Sequence, residues 1–346
     1  MKRNRRFGIL LGMLLSLCVI LVVFRSQVMA KARLVGMLRE RAIPTCTKLA
    51  TRTGPPTLQL LPARYIADRW FVAPITERGD TLLFFLDTGG GSVFANKQAV
   101  ERLGYAPKFM AVEEGDSIFT GGAFPRFRHD AEIPPPRCMS QLLGFGTRSS
   151  VPEYQNADGM LGHPWFAERV WVLDYAQQAL GVYDVPPPHA FDAHTIPMTL
   201  RSPPTKNFPR IQVLVDADTV DMLLDTGATS QLTADAVRVM GDGPEMRASA
   251  FVATRRWNRW RNRHPEWRII AKGEARAKAD LIEVPSVTIA GYEAGPIWFA
   301  KRPDSVYDNM MSPQMDKPID ASIGGAAFRT FRVTLDYPNQ RVTVER

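Results

Sequence analysis

The sequence predicts an all-β molecule made of two related lobes, and three observations carry that prediction. Proline and glycine are abundant, with 27 and 25 among 346 residues, which suits short strands and many turns better than long helices. The tripeptide Asp-Thr-Gly occurs twice, at Asp87-Thr88-Gly89 and Asp225-Thr226-Gly227, each time directly after three large apolar residues. Around those copies the chain repeats itself on the scale of a whole lobe.

Residues 1–30 read as a targeting segment. Lys2, Arg3, Arg5 and Arg6 precede an uncharged run from Phe7 to Phe24, followed by Arg25 and then Val28-Met29-Ala30. The run is long enough for a membrane span, and the last tripeptide resembles a small-residue cleavage site. The segment is therefore either an uncleaved anchor or a signal peptide. In both cases the basic end stays inside and the body is exported. Those four residues supply half of the net charge of +8, so the charge implies no nucleic-acid partner. Hydrophobic residues at 45% and charged residues at 23% match an ordinary globular body.

Residues 31–60 form an N-terminal extension and 61–185 the first lobe. Residues 186–206 form a proline-rich linker with an ordered stretch from Ala190 to Leu200, and 207–346 form the second lobe. Cys46 and Cys138 remain in the exported body, where they form one disulfide or stay as two thiols. The histidines are scattered, so neither a metal nor another cofactor is expected.

The repeat extends well past the tripeptide. Asn96 to Gly104 and Ala234 to Gly241 both read as a short helix closed by glycine. Asp158-Gly159-Met160-Leu161-Gly162 is matched by Asp320-Ala321-Ser322-Ile323-Gly324, with Phe166 and Phe328 four residues beyond. Val170 to Tyr175 is matched by Phe331 to Tyr337, and each continues into a second strand, predicting two hairpins with Asp174 and Asp336 at their turns. The halves are offset by 138 residues at the aspartates and by 162 at Gly162 and Gly324, so the second half holds about 24 extra residues.

An ionised Asp at the end of an apolar strand needs a partner, because charges are almost never fully buried alone. The simplest partner for Asp87 is Asp225, with one proton shared between the two carboxylates. Such a pair can take a proton from water with one member and donate one with the other.

At these residues the chain resembles the pepsin and retropepsin superfamily of aspartic proteases, in particular bacterial retropepsin-like proteins. The resemblance covers roughly residues 65–185 and 207–346. It implies a bilobal aspartic-protease fold made of two retropepsin-like lobes, a single-chain pseudo-dimer that is monomeric. It also implies an endopeptidase acting on extended polypeptide, with Asp87 and Asp225 as catalytic residues. Thr88, Gly89, Thr226 and Gly227 inherit the support of the two loops, with each threonine bonding across to the opposite loop, and Ser92 and Ser230 are expected to bond to those loops. For a bacterial chain, the exported body lies on the periplasmic side of the inner membrane if anchored, or in the periplasm or medium if cleaved.

Two departures from the pattern leave a second reading open, a catalytically weak or silent peptide-binding or sensor protein of the same fold. The first loop carries Gly89-Gly90-Gly91, and Ser322 stands where an apolar residue is expected. A flap is expected in Glu113 to Phe127, with Phe119 as a substrate contact and Gly121-Gly122 at its tip. The matching part of lobe two, Arg255 to Arg263 with Trp267-Arg268, interleaves arginine with tryptophan. It reads either as a membrane-surface contact through Trp257 and Trp260 or as a solvated segment whose tryptophans pack on the lobe.

Overall fold

The structure, a computed structural model, describes residues 54–104, 108–113, 116–137, 141–145, 157–185, 187, 192–201, 208–241 and 243–346. The targeting segment, Cys46 and Cys138 lie outside the described residues. Among the described residues no helix is long and apolar enough to cross a membrane.

Lobe one is built on an eight-stranded sheet and lobe two on a nine-stranded one. At the centre of the first, Phe84–Leu86 runs parallel to Gly159–Leu161, which pairs antiparallel with Val93–Asn96. At the centre of the second, Asp218–Leu224 runs parallel to Ala321–Ile323, which pairs antiparallel with Ala250–Ala253. Phe84, Phe85 and Leu86, and likewise Met222, Leu223 and Leu224, are all buried. These strands are covered on both faces, which is why they read as unbroken apolar runs.

A third sheet, of six strands, is shared between the lobes. Val170–Asp174 pairs with Arg332–Asp336, and each opens a hairpin that returns as Ala179–Val185 or Arg341–Glu345. Asp174 Oδ1 accepts the Gln177 amide at 2.9 Å and Asp336 Oδ1 accepts that of Asn339 at 3.0 Å, so both aspartates cap turns. Gln178 and Gln340 occupy matching left-handed positions, at φ 55° and 50°. Thr57–Leu60 and Thr195–Pro197 form the two edges of this sheet. The N-terminal extension and the linker thus each contribute an edge strand to it. One continuous core runs through both lobes and includes Trp70, Trp165 and Trp171 of the first with Trp260, Phe299 and Phe331 of the second.

The helix correspondence needs correcting. Val93 pairs with Leu161 and Ala250 with Ile323, so Ala250 is the counterpart of Val93. Their offset is 157 residues against 138 for the two aspartates, so 19 of the extra residues enter between the second Asp-Thr-Gly loop and this strand. The insertion is a ribbon of Thr229–Gln231 paired with Met246–Ala248, with helix Ala234–Met240 between the two strands. Helix Lys97–Arg102 follows Val93–Asn96 directly, and helix Thr254–Arg263 follows Ala250–Ala253 in the same way. These two helices are the topological pair. Asn96 and Thr233 both cap a helix by accepting the amide three residues on, so the sequence signature is the same wherever such a helix sits.

Helix Thr254–Arg263 is where the basic-aromatic stretch falls. Trp257 and Trp260 are each 2% exposed and belong to the core, with Trp260 edge-on to Phe299 at 5.1 Å. A membrane contact through these two indoles is therefore overturned: their helical spacing turns both inward. Arginines that flank them face carboxylates, Arg256 meeting Asp320 at 3.1 Å and Arg263 meeting Asp218 at 3.0 Å.

The expected flap tip is also corrected. Strands Lys108–Glu113 and Asp116–Ala123 pair with Glu113 opposite Asp116, so the hairpin closes between those two residues. Gly121 and Gly122 lie within the second strand, where its register against Gln141–Phe145 shifts between Thr120 and Ala123. Glycine in a strand interior often marks such an irregularity. Phe119 lies in the same strand, opposite Phe109.

Candidate functional site

Each Asp-Thr-Gly loop leaves its strand at the point where the parallel partner strand also ends. The Asp87 amide donates to Leu161 O at 3.1 Å and the Asp225 amide to Ile323 O at 2.9 Å. Each loop then turns back on itself, Gly90 N donating to Asp87 O at 3.0 Å and Ala228 N to Asp225 O at 3.1 Å. Gly162 and Gly324 pass beneath. A methyl group on Gly162 would stand 2.4 Å from Gly90 O, and one on Gly324 would stand 2.6 Å from Ser249 O, so no side chain fits at either crossing.

The two loops meet across the lobes through their threonines, which are 0% and 1% exposed. Thr88 Oγ1 donates to Leu224 O at 2.6 Å and accepts the Thr226 amide at 3.0 Å. Thr226 Oγ1 donates to Leu86 O at 3.0 Å and accepts the Thr88 amide at 3.0 Å. Each hydroxyl is thus used as donor and acceptor, and these bonds hold both loops in one register.

That register brings the aspartates together. A methyl group on Gly227 would stand 2.2 Å from Asp87 Cγ, and one on Gly89 would stand 2.7 Å from Asp225 Oδ1. Each carboxylate therefore lies against the glycine of the opposite loop, and both aspartates are buried, at 9% and 7% exposure. Asp225 Oδ1 also accepts the Gly227 amide at 3.0 Å. Gly90 is held small as well, since a methyl group there would stand 2.8 Å from Asp87 Oδ2 and 2.9 Å from Met160 Sδ. Gly91 faces open space. Two of the three consecutive glycines are thus required by close approach to the carboxylates.

The serines act at one remove. Ser92 O accepts the Gly162 amide at 2.9 Å, and Ser230 Oγ donates to Ser249 Oγ at 2.9 Å. Ser249 N in turn donates to Ala228 O at 2.8 Å, so Ser230 supports the second loop through its neighbour. Ser322 is fully buried opposite Leu223, on the strand beside Asp225. Tyr307, also fully buried, packs in the same region with Leu223 and Phe208. Burial, reinforced by the charges of Asp225 and Asp320, pushes the Tyr307 phenol up, so it stays protonated.

Two supporting arginines escape a reading of the sequence motifs. Arg102 from the lobe-one helix pairs with Asp158, whose Oδ2 also accepts the Leu83 amide at 2.8 Å. Arg256 from the matching lobe-two helix pairs with Asp320 at 3.1 Å. Both aspartates begin the strand that ends beneath the Asp-Thr-Gly loop, so each helix is tied to its own crossing. The repeat of Asp158 and Asp320 was the available signal, but the arginines sit at different depths in their helices.

Among the described residues no His, Cys, Asp and Glu group is arranged to hold a metal ion.

Neither a protein-family profile nor a curated protein matches the sequence. Among solved structures, the aspartic proteinase from Irpex lacteus is 12% identical, with 83% of this chain and 97% of that one covered and a TM-score of 0.47. The fold of this chain is all-β and two-lobed, with its two Asp-Thr-Gly loops joined across the lobes by their threonines.

Proposed function

We propose that this chain is an aspartic endopeptidase that hydrolyses peptide bonds in extended polypeptides, with Asp87 and Asp225 as a single catalytic dyad. The observation that carries the reading is the reciprocal seating of the two loops, each carboxylate against the other loop's glycine and each threonine bonded into the other strand. Two carboxylates so close do not both ionise readily, so the pair keeps one proton over a wide pH range. The ionised member takes a proton from a water molecule as its oxygen attacks the scissile carbonyl. The protonated member donates to the carbonyl oxygen, giving a neutral tetrahedral diol. As the diol collapses, the member now ionised takes a proton from one hydroxyl and the other member gives its proton to the departing amine, so the acid and the amine leave and the dyad again holds one proton. The hairpin of Lys108–Glu113 and Asp116–Ala123 serves as the flap that closes over the substrate.

The substrate adds to the cleft as an extended strand, held by main-chain hydrogen bonds. The finer kinship is with bacterial retropepsin-like proteins, in a single-chain arrangement that works as a monomer. Its place is the cell envelope, on the periplasmic side of the inner membrane or in the periplasm, as the targeting segment implies.

The test is cleavage of a denatured protein mixture by the purified exported body and by its Asp87→Asn and Asp225→Asn variants. Each single change is expected to reduce cleavage by about a thousandfold or more, the scale of lost acid-base chemistry. Activity surviving one change would sink the single dyad. Peptide capture without cleavage anywhere from about pH 3 to 8 would select the silent binding protein instead.

A further inference from the structure

The insertion in lobe two does more than lengthen it. Its ribbon, Thr229–Gln231 with Met246–Ala248, forms one wall of a cavity of about 510 Å³. Ser230 and Ser249, the bonded pair behind the second Asp-Thr-Gly loop, lie on that wall. The lining also includes the apolar residues Leu232, Val239, Leu281, Trp298 and Phe331.

The polar part of the lining is unbalanced. Arg247, Arg268, Arg329 and Arg346 face only two acids, Glu283 and Glu293. Arg268 spends its charge on Glu283, at 3.2 Å, and Arg329 spends its charge on Asp68 of lobe one, at 2.5 Å. Arg247 donates to the carbonyls of Pro244 at 2.8 Å and Gly241 at 3.4 Å, and Arg346 donates to Glu293 O at 3.0 Å. Neither has a carboxylate partner among the described residues. Arg247 is only 8% exposed, and its Nη2 has no hydrogen-bond partner. Burial and the nearby Arg329 push its guanidinium down, against the pull of Asp68. A buried guanidinium with an unbonded Nη2, whose neighbouring Asp68 is already paired with Arg329, is costly, and a bound anion is the remedy.

We propose that this cavity is a binding site for a small amphipathic anion, a carboxylate or phosphate carried on an apolar stem. The anionic head pairs with Arg247 and Arg346, since guanidinium matches the planar geometry of both groups. The stem lies along Trp298 and Leu281. A bound ligand braces the Ser230–Ser249 wall behind the catalytic loop and the Arg329–Asp68 contact between the lobes.

The experiment is calorimetric titration of the full chain with octanoate, octyl phosphate and octanol. Saturable binding of either anion, and none of octanol, is expected, and the tighter anion tells a free acid from a phosphate headgroup. Arg247→Ala should weaken binding by about tenfold or more, the scale of a charge-assisted hydrogen bond. Because Arg247 is buried, Arg346→Ala at the exposed rim provides a second reading and should weaken binding in the same direction. Asp87→Asn should bind as the unaltered chain does, so the result stands whether or not the chain cleaves peptides. Absence of saturable anion binding, equal binding of octanol, or unchanged affinity in both arginine variants would each overturn the proposal.

Discussion

Gly227 and Gly91 show how different the demands on neighbouring glycines can be. Gly227 is pressed against Asp87, where a methyl group would stand 2.2 Å from Cγ, while Gly91 faces open space in an ordinary backbone conformation. Gly227→Ala is expected to cost about 1–3 kcal/mol through overpacking and to abolish cleavage. Gly91→Ala is expected to leave activity intact and to stabilise by up to about 1 kcal/mol, because it restricts the unfolded chain. Urea midpoints of the two variants test this, and equal destabilisation by both would refute it. The aspartates and their tripeptides were legible in the sequence because a carboxylate after an apolar run is anomalous in isolation. The role of Gly90 was not, since it is set by close approach to the Asp87 carboxyl and to Met160 rather than by local turn chemistry.

Among the elements, helix Thr254–Arg263 departs most from its sequence reading. Its composition suggests a surface, yet Trp257 and Trp260 lie in the core, and Arg256 and Arg263 on either side of them find carboxylates on neighbouring segments. Trp257→Ala is expected to cost about 3–5 kcal/mol in chemical denaturation, as for other buried aromatic truncations. A cost below about 1 kcal/mol would mean that the indole is not a core group. A second tie joins strand Arg210–Val215 to the segment after Tyr307, where Asp316 accepts from Arg210 at 2.7 Å through both oxygens. Burial alone would raise the Asp316 carboxyl, but the hydrogen bonds and charge of Arg210 outweigh it and hold the group below the usual carboxylate range. A depressed folded value contributes stability above the unfolded value, near 4, and that stability is lost as pH falls through the folded value. Asp316→Asn should therefore lose less stability than the unaltered chain between about pH 5 and pH 2, measured by urea midpoints across the range. A parallel acid-side decline in both proteins would rule out this contribution.

For the molecule as a whole, the shared sheet matters more than the division into lobes. Val170–Asp174 of one lobe pairs along its full length with Arg332–Asp336 of the other, and a single core runs beneath both. The turn of the Ala63–Ile66 and Arg69–Val72 hairpin reaches lobe two, where Ala67 O accepts the Ala248 amide at 2.9 Å and Asp68 pairs with Arg329. Two lobes tied in this way should unfold in one transition, with near-ultraviolet circular dichroism and intrinsic fluorescence giving coincident midpoints. Two separated transitions would show that the lobes are independent folding units.

The all-β class, the two lobes and the two Asp-Thr-Gly loops could be read from the chain, because strand burial, turn residues and a misplaced charge are local signals that a duplication states twice. The hairpins around Asp174 and Asp336 were legible for the same reason. Three features depended on contacts remote in sequence: the helix that matches Lys97–Arg102, the edge strands from the extension and the linker, and the cavity behind Ser230. The insertion after Ala228 carries a helix with the same cap and glycine stop as its look-alike in lobe one. Local pattern cannot separate two such helices; only the pairing of Ala250 with Ile323 does, and that pairing forms when the strands assemble.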